Sequence, residues 1–162
     1  MKTIFLIAGI FVAGSLSAQQ IATGLTNSKN VFIGFYQYTP PEYITEPSRK
    51  FPLIIFLHGL GERGNGTTEL SRVTTHGVPK HIKNGHPMRF FWNGKWESFI
   101  VLSPQLSTSY SVWQTFYVDE MIKYAEENLR IDPDRIAITG MSLGGGGTWS
   151  FAARTVNNPK KL

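Results

Sequence analysis

The 162-residue sequence has no cysteine. That excludes a disulfide framework and a lipid-attachment cysteine, so stability must come from the packed core. Charged residues are sparse, at 17%, against 41% apolar. This is the balance of a globular chain, not of a disordered one, and the length suits one domain with a real core. Although the net charge is +5, no basic run is interleaved with aromatic residues, so nothing suggests nucleic-acid binding. No apolar run is long enough to span a bilayer. The nearest, residues 4–12, follows Lys2 and precedes Ser15-Leu16-Ser17. That is the pattern of a secretory signal at residues 1–18, cleaved after Ser17 or Ala18, and it implies a secreted or periplasmic protein without stable membrane association.

What is present is a succession of short buried strands. "NVFIGFYQYTPPEY" alternates and ends at Pro40-Pro41, as an early strand at or near a sheet edge does. "FPLIIFLHG", "SFIVLSPQ" and "RIAITG" are continuous apolar runs stopped by turn residues, the mark of strands buried on both faces. Between the second and third of these, Val118, Met121, Ile122, Ala125 and Leu129 form one helical stripe. Asp119 with Lys123, and Glu126 with Arg130, are spaced for surface ion pairs, and Asp132-Pro133-Asp134 turns the chain. Strand, helix, strand is a crossover unit and predicts an α/β fold with a mostly parallel sheet and flanking helices. Residues 61–97 form a glycine-rich insertion with a short helix predicted at 78–84. It holds His76, His81, His86, Trp92 and Trp96.

Two glycine motifs compete for meaning. Gly59, Gly61 and Gly64 spell G-x-G-x-x-G after a buried strand. A dinucleotide site also needs a helix opening at the glycines and an acid about 20 residues on. Neither follows, so a nicotinamide cofactor is not expected, and no phosphate-binding Gly-Lys-Ser/Thr occurs. The second motif is Gly140-Met141-Ser142-Leu143-Gly144, also after a buried strand and before a helical segment with Trp149, Phe151 and Ala152. Strand, tight turn and helix make a nucleophile elbow. The turn must expose the Ser142 hydroxyl, and crowding leaves room only for glycine at 140 and 144. A developing oxyanion would meet the amide of Leu143 and that of Leu60 or Gly61, in the loop after His58-Gly59. His58 reads as a structural loop residue. His76, His81 and His86 read as surface or loop residues, one of which could line a cleft.

With these residues in view, the chain resembles the α/β-hydrolase superfamily. "PLIIFLHGLGERGNG", "FIVLSPQ" and "DPDRIAITGMSLGGGGTW" resemble secreted bacterial esterases: poly-hydroxybutyrate-depolymerase-like and feruloyl- or acetylxylan-esterase-like, near carbohydrate esterase family one. The resemblance covers residues 51–153. It implies hydrolysis of carboxylic esters, polysaccharide-linked or polyester, by acylation of Ser142, with the oxyanion on Leu143 and Leu60 and with no metal or cofactor. Gly146 departs from the family, which often has a bulky residue there. The superfamily's order is serine, acid, histidine, yet no His, Asp or Glu follows Ser142. The expectation is therefore the N-terminal half of a hydrolase domain at 19–162, inactive alone, with its acid and histidine beyond Leu162 and an exposed strand edge that lowers solubility. Two other readings stay open: a carbohydrate-binding module using Trp92, Trp96, Trp113 and Tyr110 as an aromatic surface, and a serine peptidase of the same fold.

Overall fold

The computed structural model describes residues 19–156; the expected signal and the terminal "NNPKKL" lie outside them. In chain order the elements are β1 (Ile21–Thr26), β2 (Phe32–Tyr38), α1 (Glu42–Thr45), β3 (Phe51–Leu57), α2 (Gly77–Lys83), β4 (Arg89–Trp92), β5 (Lys95–Ser98), β6 (Ile100–Pro104), α3 (Phe116–Asn128), β7 (Ile131–Gly140) and α4 (Leu143–Val156). Short 3-10 turns occupy Leu60–Glu62 and Leu70–Thr75. The main sheet runs β1-β2-β6-β3-β7. Strands β6, β3 and β7 are parallel, β2 pairs antiparallel with β6, and β1 pairs antiparallel with β2. The crossover pattern thus gives the parallel part of the sheet, and the early strand lies one place in from the edge, next to β1.

Alternation along the strands sorts the core onto two faces. Ile33, Phe35, Leu53, Ile55, Leu57, Ile100 and Leu102 point to one face, where Tyr117, Val118, Met121 and Ala125 of α3 and Phe151 of α4 bury against them. Tyr38, Val101 and Ile54 point to the other, under Ile82 of α2 and Met88. Helices on both faces of a parallel sheet exclude water from β3 and β6, which is why their sequences are unbroken apolar runs.

Three sequence expectations need correction. β7 is not buried on both faces: Ile136 and Ile138 are half-buried while Ala137 and Thr139 are exposed. Among the described residues only β3 flanks it, and no helix covers its second face. Asp132-Pro133-Asp134 is not a turn before the strand. Phe51 pairs with Ile131 but Leu53 with Ile136, so residues 132–135 bulge out within β7. Finally, α3 uses different ion pairs. Arg154 of α4 clamps Asp119 at 2.6 and 2.8 Å, while the Arg130 guanidinium reaches back to the carbonyls of Tyr43 and Pro47. A charge at helical spacing from a partner can still be claimed by a nearer group on another element.

Candidate active site

β7 ends at Gly140 and α4 begins at Leu143, leaving a two-residue turn. Within it Ser142 has φ +54, in the left-handed region that a side chain rarely adopts. The turn is tied to the neighbouring strand by Met141 N–H donating to Leu57 O at 3.1 Å. It is closed by Gly144 N–H to Met141 O at 2.9 Å. Crowding decides the flanking residues. A Cβ on Gly140 would lie 2.3 Å from the Gly144 carbonyl, and one on Gly144 would lie 1.9 Å from Leu57 O. Ser142 is left exposed at the carboxyl end of the parallel strands. The Leu143 amide stands at the start of α4, where helix N–H groups have no intrahelical partner.

Gly147 is also explained: a Cβ there would stand 2.6 Å from Trp113 Cβ. Gly145 has 3.7 Å to its nearest neighbour and Gly146 has nothing within 4 Å, so packing requires glycine at neither.

The loop after β3 lies against this turn. A Cβ on Gly59 would be 3.6 Å from Ser142 Cβ. Its carbonyls are turned away and secured. Trp113 Nε1–H donates to His58 O at 3.0 Å, Arg63 Nε–H to Leu60 O at 3.3 Å, and Gln105 Nε2–H to Glu62 O at 2.9 Å. Leu60 and Gly61 open the 3-10 turn, so their amides are the ones without partners inside it. The loop backbone beside Ser142 is thus anchored before any ligand arrives. Gly61 has no neighbour near its Cβ position, so the approach that needs glycine here is at Gly59.

His58 is 1% exposed, with both ring nitrogens occupied. Leu106 N–H donates to Nε2 at 2.9 Å, which places the ring proton on Nδ1, donated to Gly59 O at 2.6 Å. This ring shapes the loop and has no free nitrogen for Ser142. Burial lowers its pKa, and Arg63 pushes the same way, against the opposing effects of the Gly59 carbonyl and Glu62. Unfolding returns the imidazole to about 6.5, so the unfolded chain takes up a proton that the fold refuses. The contribution to stability is complete above that pH and is lost as pH falls through it toward the folded-state value. We predict that the His58 resonance in an NMR titration has its midpoint below pH 6.5. A midpoint at or above that pH would contradict the burial account.

The three tryptophans of the expected aromatic surface are placed differently. Trp113 is 4% exposed, packed edge-on against His58 and Tyr117. Trp92 and Trp96 lie on the β4-β5 hairpin, which leads directly into the amino end of β6. Glu97 of that hairpin pairs with Arg49, just before β3, and with Arg135 in the β7 bulge. The hairpin is therefore at the opposite end of the sheet from Ser142. Phe91 pairs with Trp96 and Trp92 with Lys95, so the two tryptophans face opposite ways, and Arg89 and Phe91 already pack on the Trp96 ring. No shared stacking surface forms. Tyr110 is packed against Phe116 and Tyr117.

Of the remaining histidines, His81 is exposed on α2, and His86 Nδ1 accepts from Met88 N–H. His76 is held by Glu62, 2.5 Å from Nδ1 to Oε1, a contact that the sequence reading missed. Among the described residues no side chain hydrogen-bonds the Ser142 hydroxyl.

A family model described as Esterase matches residues 26–160. Among solved structures, a thermostable esterase superposes with a TM-score of 0.60 at 27% identity over 88% of this chain. A ferulic acid esterase gives 0.57 at 20% identity over 86%, and an S-formylglutathione hydrolase from Agrobacterium tumefaciens gives 0.55 at 14% over 91%; these two show a common fold. The chain spans 39% of the first of these structures and 56% of each of the others. No curated protein matches it.

Proposed function

The chain belongs to the Esterase family and builds its sheet as an α/β-hydrolase does; from that premise we propose that the whole protein is a serine hydrolase of carboxylic esters. The observation that carries this is Ser142 raised at φ +54 beside the anchored Gly59–Gly61 loop. Ser142 Oγ attacks the ester carbonyl, and the carbonyl oxygen takes the negative charge between the amides of Leu143 and Leu60. Collapse expels the alcohol and leaves an acyl group on Ser142, which water then removes. The substrates proposed are polysaccharide-linked or polyester acyl groups, met outside the cytoplasm after export through the leader at 1–18.

A serine hydroxyl needs a base. His58 has both nitrogens committed, and the family's acid and histidine follow the serine in the chain. No His, Asp or Glu follows Ser142 within these 162 residues, so we propose that they lack that pair. Residues 1–162 alone are expected to hydrolyse p-nitrophenyl acetate no faster than their own Ser142→Ala variant, while the whole protein is far above it. Turnover by the 162-residue chain at a rate typical of esterases, abolished by Ser142→Ala, would show that the base lies within it.

A further inference from the structure

Glu62 is a buried carboxylate, 5% exposed, that the chemistry above does not use. No lysine or arginine pairs with it among the described residues. Its Oε1 meets His76 Nδ1 at 2.5 Å, and its Oε2 lies 3.9 Å from His58 Nδ1. Oε2 is also 3.1 Å from the Cβ position of Gly59, the same point that lies 3.6 Å from Ser142 Cβ. Glu62 and Ser142 therefore approach Gly59 from the same side, and His76 is tied to that place through Glu62.

Burying a carboxylate is costly unless it is paired and hydrogen-bonded. Here that cost secures one ring. A carboxylate on Nδ1 fixes an imidazole's tautomer and direction. The His76 side chain is 53% exposed, and its Nε2, on the far edge from the carboxylate, has no hydrogen bond among the described residues. The backbone is fixed too. Gly77, at φ +63, lies so close to Phe56 that a Cβ would be 2.1 Å from the ring. The result is a fixed, half-exposed polar group held by Glu62 of the loop that packs on the Ser142 turn, its Nε2 able to accept from a hydroxyl while Nδ1–H is given to the carboxylate.

We infer that Glu62 and His76 form a specificity device in which Glu62 orients the ring and His76 Nε2 hydrogen-bonds a hydroxyl on the alcohol half of the bound ester. The inference rests on Ser142 being the nucleophile. A polyester chain, with no hydroxyl at that position, would leave the contact unused; a hydroxyl-rich alcohol would satisfy it. A buried or fixed polar group matched to a substrate hydroxyl discriminates strongly against analogues lacking it.

The test compares kcat/KM of the whole protein on p-nitrophenyl acetate, whose leaving group has no spare hydroxyl, and on acetylated xylobiose. His76→Ala is expected to lose at least tenfold more on the xylobiose ester than on the aryl ester, mostly through KM. Glu62→Gln should shift the same ratio in the same direction by releasing the ring. His76→Gln keeps a donor for Glu62 and so guards against a folding defect; it should give the same substrate split with an unchanged melting temperature. Equal losses on both esters, or none on either, would overturn the inference. Ser142→Ala, assayed alongside, isolates the other premise: turnover that survives it would overturn the nucleophile assignment, whatever the His76 ratio.

Discussion

Gly144→Ala is expected to destabilise the whole protein by about 3 kcal/mol or more and to empty the site. The added methyl would stand 1.9 Å from Leu57 O, 2.5 Å from Leu57 C and 2.7 Å from His58 O. All three are backbone atoms of β3 and the loop that follows it, so no side-chain rotation relieves the clash. Either α4 lifts from the sheet or the loop beneath Ser142 moves, and both break the alignment of nucleophile and amides. Gly146→Ala, two residues on, is the contrast. Nothing lies within 4 Å of its Cβ position. Alanine within a helix is favoured over glycine by up to about 1 kcal/mol, so this change should be neutral or stabilising. Urea midpoints of the two variants decide the matter. Similar losses at both positions would mean that the glycines serve helix flexibility instead of close approach.

Ser142→Ala is expected to lower kcat for p-nitrophenyl acetate by on the order of 10⁴-fold or more, with KM little changed. In the proposed mechanism the hydroxyl takes part in bond formation, whereas its loss leaves the surrounding loop unchanged. Alanine at 142 also retains a side chain at φ +54, so the backbone strain of the turn is kept and stability should hardly change. A large fall in melting temperature, or turnover within tenfold of wild type, would place the chemistry elsewhere.

How much of this was legible in the sequence depended on how local the cause was. The apolar runs in β3 and β6, the stripe on α3 and the elbow glycines are short-range signals, and the structure has those elements near the expected bounds. β7 has a similar run, but its burial depends on which strands and helices flank it, which a run of residues does not state. Trp113 was legible as an aromatic and not as a buried one, because its Nε1–H is satisfied by His58 O, 55 positions away in sequence. The β4-β5 hairpin was hidden inside a glycine-rich insertion, since its four aromatic residues are exposed and show no alternation. The Glu62–His76 contact joins two loop positions 14 residues apart, where no periodicity applies. Gly147 carries no local signal, because its cause is Trp113, from a distant part of the chain.

The most direct measurement is covalent trapping. The whole protein is treated with a fluorophosphonate ester, digested, and read by mass spectrometry. One modified residue is expected, Ser142, in the peptide spanning Gly140 and Gly144, with labelling proportional to lost esterase activity. Activity lost while Ser142 remains unmodified, or an adduct on another side chain, would contradict Ser142 as the nucleophile.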